Sequence, residues 1–133
     1  MSEHTLIIIK PDAFERKLTG IILSRFENKG LMIKELKSYI FTKEKAEEFY
    51  SDHKNKPFFS ELVSFISSST VVACILEGEN SINVVRKMIG STWSFDAQPG
   101  TIRGDYGLGI TNNIIHASDS YESYIKESRV IFT

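Results

Sequence analysis

The sequence is poor in the features that mark disulfide-rich, membrane-spanning and strongly charged proteins. A single cysteine, Cys74, excludes an intramolecular disulfide, and its place in the apolar run VVACIL predicts a buried thiol. That run is the longest apolar one and is far too short to span a bilayer. The formal net charge of −1 gives no general attraction to nucleic acid or to an acidic membrane, so any anion-binding patch must be local.

Targeting and linker segments are also missing from the sequence. The stretch MSEHTLIIIKPD has neither a basic segment before its apolar residues nor a small-residue cleavage site, so no signal peptide is expected. The lack of paired cysteines favours a reducing compartment, and we expect a cytoplasmic location. The 133 residues are 41% hydrophobic and 25% charged and contain no repeat, which predicts one globular domain over residues 1–133.

Hydrophobic periodicity predicts an alternation of strands and helices. Residues 5–9 and 71–76 are apolar without alternation, which is typical of strands buried on both faces. Further strands are predicted over 31–41 and 113–117, and a helix is predicted over 19–29. The remaining helix boundaries are indicated by capping residues and helix breakers. These signals lie at Gly30, Thr42, Pro57, Asn80, Ser81, Gly90 and 118–120.

The predicted order is β, α, β, α, α, β, α, loop, β, α. It contains a split βαβ pattern, which favours an α+β, ferredoxin-like sandwich. Such a fold has a four-stranded antiparallel sheet covered by helices, which we expect on one face.

Residues 91–112 show neither the hydrophobic periodicity of a helix nor that of a strand. They hold Pro99 and four glycines, and a structureless segment of this length inside a compact domain is often functional. We expect Gly100 and Gly104, which flank the segment TIRG, to let the backbone approach a ligand closely. The glycine pattern matches neither the P-loop motif GxxxxGK[ST] nor the dinucleotide fingerprint GxGxxG.

Cations and a hydroxyl associated with this segment favour phosphate binding. Lys10 ends a buried strand, Arg86 lies on a predicted helix, and Thr92 and Arg103 bracket the loop. Phosphate recognition needs such groups to converge on one spot. Each cation taken alone is more typical of a solvated surface charge.

His116 follows two isoleucines and precedes a cluster of helix-capping residues. It is consistent with a core histidine, a metal ligand, or a nucleophile or general base. The three histidines are scattered and neither HExxH nor CxxC occurs, which argues against a metal site. Neutral imidazole is a competent nucleophile near neutral pH, and Glu127 on the following helix is a candidate group to orient it.

Five segments, in their order and spacing, resemble the nucleoside diphosphate kinase family. They are IIIKPDAF, PFF..LV.F, VVACILEG, PGTIRGD and NIIHASDS, and the resemblance covers residues 5–132. The last segment, around His116, matches the family's active-site signature. Its occurrence together with PGTIRGD is highly specific.

The resemblance implies ping-pong phosphoryl transfer with broad base tolerance. A nucleoside triphosphate carrying Mg²⁺ would donate its γ-phosphoryl group to Nδ1 of His116, and the phosphohistidine would pass it to a nucleoside diphosphate. The protein would provide no metal ligand of its own, because the nucleotide phosphates would hold Mg²⁺. Stacking uses a π-face that every base has, which explains the base tolerance.

The resemblance also implies roles for individual residues. Glu127 and Ser118 would orient His116. The groups that would contact or support the phosphates are Lys10, Tyr50, His53, Arg86, Thr92 and Arg103. The side chains that would bind the sugar and the base are Asn113, Phe58, Leu62 and Ile110.

Several of these residues have a plain structural alternative. Phe58 and Tyr50 lie on apolar helix faces and could pack in the core. His53 lies in the polar stretch SDHKNK and could be a solvated surface histidine. Asn113 could be a turn residue, and Glu127 could be one more exposed charge.

The chain departs from the family pattern beside the loop. Trp93 and Ser94 replace the usual Asn-Pro, residues 68–70 replace Ser-Gly-Pro, and Ala117 stands where many members have glycine. Position 94 belongs to the loop that packs between subunits in family hexamers. The expected partners are nucleoside di- and triphosphates and further copies of the chain, as a hexamer, tetramer or dimer.

Two other classes of function are weighed against the kinase. A regulatory module that binds nucleotides or nucleic acid would need basic and aromatic residues interleaved on one sheet face, and the strand over 31–41 offers little beyond Lys34 and Lys37. A phosphohistidine protein that passes its group to another protein would not need the nucleotide-binding residues. No membrane partner is expected.

Overall fold

A computed structural model describes residues 2–132 of the protein. The predicted domain, residues 1–133, also includes Met1 and Thr133, which lie outside the described residues. The strands are β1 (Ser2–Ile9), β2 (Met32–Tyr39), β3 (Val71–Glu79) and β4 (Ile115–Ala117). The helices are α1 (Pro11–Glu15), α2 (Thr19–Lys29), α3 (Lys43–Phe49), α4 (Phe59–Ile66), α5 (Ser81–Ile89), α6 (Ile102–Tyr106) and α7 (Tyr121–Phe132).

The strands form one antiparallel sheet in the order β2-β3-β1-β4. This topology confirms the predicted α+β, ferredoxin-like fold. β1 lies between β3 and β4, with Ile7 opposite Cys74 and Ile8 opposite His116. The end of β1, where Lys10 follows, therefore lies beside the start of β4.

Helices cover both faces of the sheet, so the expectation of helices on one face is wrong. Ile7 and Ile9 of β1 pack in a core with side chains of α2, α5 and α6, whereas Leu6 and Ile8 pack in a second core with those of α3, α4 and α7. Because both faces of the strand are apolar, the sequence shows a continuous hydrophobic run instead of an alternating pattern. The burial on both faces predicted for 5–9 and 71–76 is confirmed.

Local capping signals predicted several helix ends correctly. α2 ends at Gly30 with φ of 110°, and α5 ends at Gly90 with φ of 88°, conformations that suit glycine. Thr42 and Ser120 each accept a hydrogen bond at 3.1 Å from the amide three residues further along.

Other boundaries differ from the prediction. α1 was not predicted from the sequence; it is a helix of five residues with Pro11 at its first position. α4 begins after Phe58 rather than at Pro57. Asn80 lies at the start of α5 in a left-handed conformation and provides no side-chain cap; instead, the Ile82 amide donates to the carboxylate of Glu3 at 2.9 Å. This cap comes from Glu3, near the start of β1, so the sequence around residues 80–82 gives no sign of it.

The segment 91–112 is not structureless. It contains a short 3₁₀ turn, Ser94–Asp96, and the helix α6, whose first turn is capped by Thr101 accepting from the Gly104 amide at 3.0 Å. A Cβ atom at position 104 would collide with the carbonyl of Gln98. Gly104 therefore serves close packing within the segment rather than a close approach to ligand.

Cys74 has no exposed surface, and burial raises the pKa of its thiol to about 12. The prediction of a buried cysteine is confirmed. Within residues 2–132, no helix combines the length and the apolar character needed to cross a membrane.

Candidate active site

A cavity of about 390 Å³ lies where the ends of β1 and β4 approach α4, α5 and the loop before β4. Every site residue predicted from the sequence contributes to its lining except Ser118, which hydrogen-bonds to the lining residue Glu127. The lining residues are Lys10, Tyr50, Asp52, His53, Phe58, Glu61, Leu62, Arg86, Thr92, Arg103, Ile110, Thr111, Asn113, His116, Ala117, Asp119, Ser123 and Glu127.

His116 is held on β4 by a carboxylate. Its Nε2 lies 2.9 Å from Oε1 of Glu127, and the Ser118 hydroxyl donates to the same oxygen at 2.8 Å. A carboxylate only accepts hydrogen bonds, so Nε2 carries the proton and the lone pair of the neutral ring is on Nδ1. Nδ1 has no hydrogen-bond partner among residues 2–132. The rings of Phe49 and Tyr50 contact the imidazole edge-on, with centroids at 5.1 and 6.4 Å.

A strained turn precedes β4. Ile114 has φ of 78°, and the Ile115 amide donates to the carbonyl of Asn113 at 2.8 Å, which closes a γ-turn. This conformation is costly for a β-branched residue and needs support from its surroundings. The Ile114 amide donates to Oδ2 of Asp12 at 3.1 Å, and its carbonyl accepts from the Lys10 amide at 2.9 Å.

Lys10 is the central cation of the cavity. It is only 4% exposed, and its Nζ donates to Oδ1 of Asn113 at 2.7 Å and to the carbonyl of Thr111 at 3.3 Å. Burial, with a smaller contribution from the positive charge of Arg103, lowers the pKa of Lys10 to about 7. The ammonium ion is therefore poorly compensated, and an anion in the cavity would stabilise it.

Asn113 connects Lys10 to the backbone of Thr92. Its amide nitrogen donates to the carbonyl of Thr92 at 2.8 Å while its oxygen accepts from Lys10. The side chain is thus fixed at both ends and 1% exposed. It is more than a turn residue.

Arg103 is buried and braces the γ-turn. Its guanidinium donates to the carbonyls of Gly90, Asn113 and Ile115 at 3.1, 3.3 and 2.6 Å. Burial, and next the neighbouring Arg86, lower its pKa to about 10, so the group stays charged near neutral pH. Three of its five N–H groups serve these carbonyls, which leaves two for a ligand.

A third cation, Arg86, lies on α5 and donates to the carbonyl of Ala117 at 3.1 Å. Tyr50 is 6% exposed, and burial raises the pKa of its hydroxyl, so the phenol stays protonated. Arg86, Arg103 and Lys10 give the inner part of the cavity a positive character. Glu127 is partly buried and engaged with His116, so it is not a free surface charge.

The outer part of the cavity is an apolar cleft. Phe58 before α4 is 40% exposed, which excludes a core role, and Ile110 in the loop before β4 is 52% exposed. Leu62 contributes the half-buried floor beside them. The ring of His53 lies 5.8 Å from that of Phe58, and burial lowers the pKa of His53. His53 therefore belongs to the cavity rather than to a solvated surface stretch.

Sequence reasoning did not identify every lining residue. Those not predicted as site residues are Asp52, Glu61, Thr111, Ala117, Asp119 and Ser123. Apart from Ala117 and Asp119, which lie near His116 in the sequence, these residues belong to no recognisable motif. Within residues 2–132, no three His, Cys, Asp or Glu side chains are grouped as they would be to hold a metal ion.

Comparisons with known proteins agree with this geometry. Residues 3–133 match the family profile for nucleoside diphosphate kinase. The chain is 57% identical over 131 residues to the nucleoside diphosphate kinase of Staphylothermus marinus, covering 98% of this chain and 93% of that protein.

Solved structures give the same result. The Aquifex aeolicus nucleoside diphosphate kinase has a TM-score of 0.97 at 51% identity, covering 100% of this chain and 96% of that one. The Halobacterium salinarum enzyme in complex with CDP has a TM-score of 0.96 at 42% identity, covering 99% of this chain and 88% of that one. The chain therefore belongs to the nucleoside diphosphate kinase family of phosphotransferases.

Proposed function

We propose that this kinase works through a phosphohistidine on His116. The observation that carries the proposal is the bond between Nε2 of His116 and Glu127, which leaves the nucleophilic lone pair on Nδ1 in a cavity with three cations. Nδ1 attacks the γ-phosphorus of a nucleoside triphosphate, and the bond from that phosphorus to the bridging oxygen breaks. The nucleoside diphosphate leaves. A second diphosphate then takes the phosphoryl group by the reverse step.

Charge stabilisation accounts for most of the catalysis in this proposal. Arg86 and Arg103 balance the charge on the equatorial phosphoryl oxygens, and Lys10 supports the phosphates from the end of β1. The ring becomes positive as the N–P bond forms, and the carboxylate of Glu127 stabilises that charge. Ser118 holds Glu127 in place. The phenol of Tyr50, kept protonated by burial, is available to donate to an oxygen of the transferring group.

The nucleoside is assigned to the outer cleft. The base lies between Phe58 and Ile110 with Leu62 beneath it, and the sugar hydroxyl approaches Asn113. His53 and Thr92 contact the inner phosphates. Apolar contacts to the faces of a base do not distinguish one base from another, which supports broad base tolerance. CDP in the related Halobacterium salinarum structure agrees with a nucleotide as ligand.

Enzymes of this family need a divalent metal, and we propose Mg²⁺ as part of the substrate. Mg²⁺ keeps several waters and is usually bound through one or two carboxylates and the substrate phosphates. We assign the metal mainly to the nucleotide phosphates, since the carboxylate of Glu127 is already engaged with His116. The metal enters with the triphosphate and neutralises part of its charge.

We also propose a cytoplasmic homo-oligomer of single-domain chains. Trp93, Phe95 and Leu108 are 48, 65 and 76% exposed and lie within residues 91–112, a segment that also contributes Thr92 and Ile110 to the cavity. Such large apolar side chains are suited to a contact between copies. Sedimentation velocity of the wild type and a Phe95→Ser variant tests this: a single monomer-sized boundary for the wild type would refute it.

Intact-protein mass spectrometry tests the phosphohistidine. Brief incubation with ATP and Mg²⁺ should add one phosphoryl group, and GDP should remove it with formation of GTP. His116→Asn should lose the added mass and the turnover, whereas His4→Asn, which changes a histidine paired with Glu77 outside the cavity, should keep both. Turnover by His116→Asn would refute the mechanism. A phosphoryl group that GDP does not remove would indicate a carrier that acts on another acceptor.

A further inference from the structure

A hydrogen bond joins the two walls of the outer cleft. The hydroxyl of Thr111, in the loop before β4, donates to Oε1 of Glu61 on α4 at 2.9 Å. The two residues are 50 positions apart in the sequence, and both line the cavity. Thr111 is 7% exposed, so its hydroxyl is largely removed from solvent and depends on this partner.

Each end of this bond adjoins a residue of the cleft. Glu61 lies three positions after Phe58 and directly before Leu62, so these side chains share one side of the start of α4. Thr111 directly follows Ile110. The distance between the wall that carries Phe58 and the wall that carries Ile110 is therefore tied to the length of one hydrogen bond.

The same threonine is also linked to the inner cavity. Its carbonyl accepts from Nζ of Lys10 at 3.3 Å, and Lys10 in turn donates to Asn113. Thr111 thus fixes the apolar cleft relative to the groups assigned to the sugar and phosphates. A hydrogen bond to a carboxylate is stronger than one between neutral groups, which suits it to hold a loop that has no helix or strand of its own.

We propose that the Glu61–Thr111 hydrogen bond sets the width of the nucleobase cleft, so that both are positioning residues for the base. This rests on the proposed assignment of the cleft between Phe58 and Ile110 to the base. The bond holds the walls close enough for both to contact a planar ring. Without it, the loop moves outward and the ring keeps contact with one wall.

Equilibrium binding tests the proposal without relying on turnover. Isothermal titration calorimetry compares ADP with ribose 5-diphosphate, which has the sugar and phosphates but no base. Thr111→Val removes the hydroxyl at nearly constant volume, and Glu61→Ala removes the acceptor. Each should weaken ADP binding about 3- to 10-fold, the effect of one net hydrogen bond, with a much smaller loss for ribose 5-diphosphate.

Conservative variants separate the hydrogen bond from other effects. Thr111→Ser and Glu61→Gln keep a donor and an acceptor, so they should recover most of the ADP affinity. The double variant Thr111→Val with Glu61→Ala should bind ADP about as weakly as either single variant, because both remove the same interaction.

Three results would overturn the proposal. Equal losses for ADP and ribose 5-diphosphate would mean that Thr111 acts through Lys10 on the phosphates. Additive losses in the double variant would mean that the two residues act independently. Unchanged ADP affinity in both single variants would mean that the bond does not define the cleft. Failure of the phosphohistidine mechanism would appear in the mass spectra and leave this comparison of affinities intact.

Discussion

Lys10 should take up a proton when a nucleotide binds. Its pKa in the free protein is about 7, because the ammonium ion is buried next to Arg103. A nucleotide phosphate beside Nζ supplies the missing negative charge and raises that pKa. If the bound value exceeds about 9, binding takes up about 0.9 proton at pH 8, about 0.5 at pH 7 and about 0.1 at pH 6. Between pH 7 and the bound pKa, the ADP affinity should then fall with pH, about fivefold from pH 7 to 8 and by at most about tenfold per pH unit.

Calorimetry in buffers of different ionisation enthalpy measures this uptake directly. Titrations of ADP with Mg²⁺ in HEPES and in Tris at pH 8 give the number of protons from the difference in apparent enthalpy. Lys10→Arg keeps a positive charge but cannot lose its proton in this range, so it should lack the uptake. Lys34→Arg, a matched change on the exposed strand β2, should retain it.

Equal proton uptake by the wild type and Lys10→Arg at pH 8 would refute the reasoning. As the pH rises, the stability of the folded protein changes in the opposite direction to its affinity for ADP. Between about pH 7 and 10.5 the unfolded chain keeps the proton that folded Lys10 has lost, so the free energy of unfolding rises with pH, by at most about 1.4 kcal/mol per unit.

Three substitutions test the groups around His116. Glu127→Ala should slow phosphorylation of the protein by ATP about 100-fold in rapid-quench experiments, since a fixed charge is lost at the reacting ring. Glu127→Gln keeps an acceptor oxygen, so its phosphorylation rate should fall less. Equal rates for the wild type and Glu127→Ala would exclude an orienting role. Arg103→Ala should raise the barrier by about 3–4 kcal/mol, seen as a lower kcat, and an unchanged kcat would place the guanidinium outside the reaction. Asp12→Ala leaves the Ile114 amide of the γ-turn without its acceptor and should lower the free energy of unfolding by about 1–3 kcal/mol in urea titrations. The control Asp96→Ala changes an exposed carboxylate and should leave the free energy of unfolding unchanged. Matching urea midpoints for the two variants would contradict this prediction.

Features with a local cause could be predicted from the sequence. The ends of α2 and α5 follow from glycines with positive φ, and the start of α3 follows from the Thr42 cap. Buried strands were recognisable because their residues are continuously apolar. Lys10 stood out because it ends such a strand, and His116 stood out because it follows two isoleucines and precedes a cluster of helix-capping residues.

Features that depend on distant partners could not be predicted. Asp12 and Ile114 are 102 positions apart, and nothing near either residue indicates that one supports the strained conformation of the other. The pairing of Glu61 with Thr111 is equally invisible, because a glutamate on a helix and a threonine in a loop are ordinary residues at such places. α6 was hidden by Gly104, whose low helix propensity argues against a helix, although its close contact with the carbonyl of Gln98 leaves no room for a Cβ atom.

The two sides of the cavity differ in how firmly the fold holds them. Lys10 directly follows β1 and His116 is the middle residue of β4, two paired strands between two cores, so displacing them requires the sheet to open. Residues 107–113 belong to no helix or strand and are held by individual hydrogen bonds, such as those from Thr111 to Glu61 and from Lys10 to Asn113. In the proposed cycle one nucleotide must leave before the next enters the same site. A cavity wall held by individual hydrogen bonds would open for that exchange at lower cost than the paired strands that hold His116, so product release would not require the core to loosen.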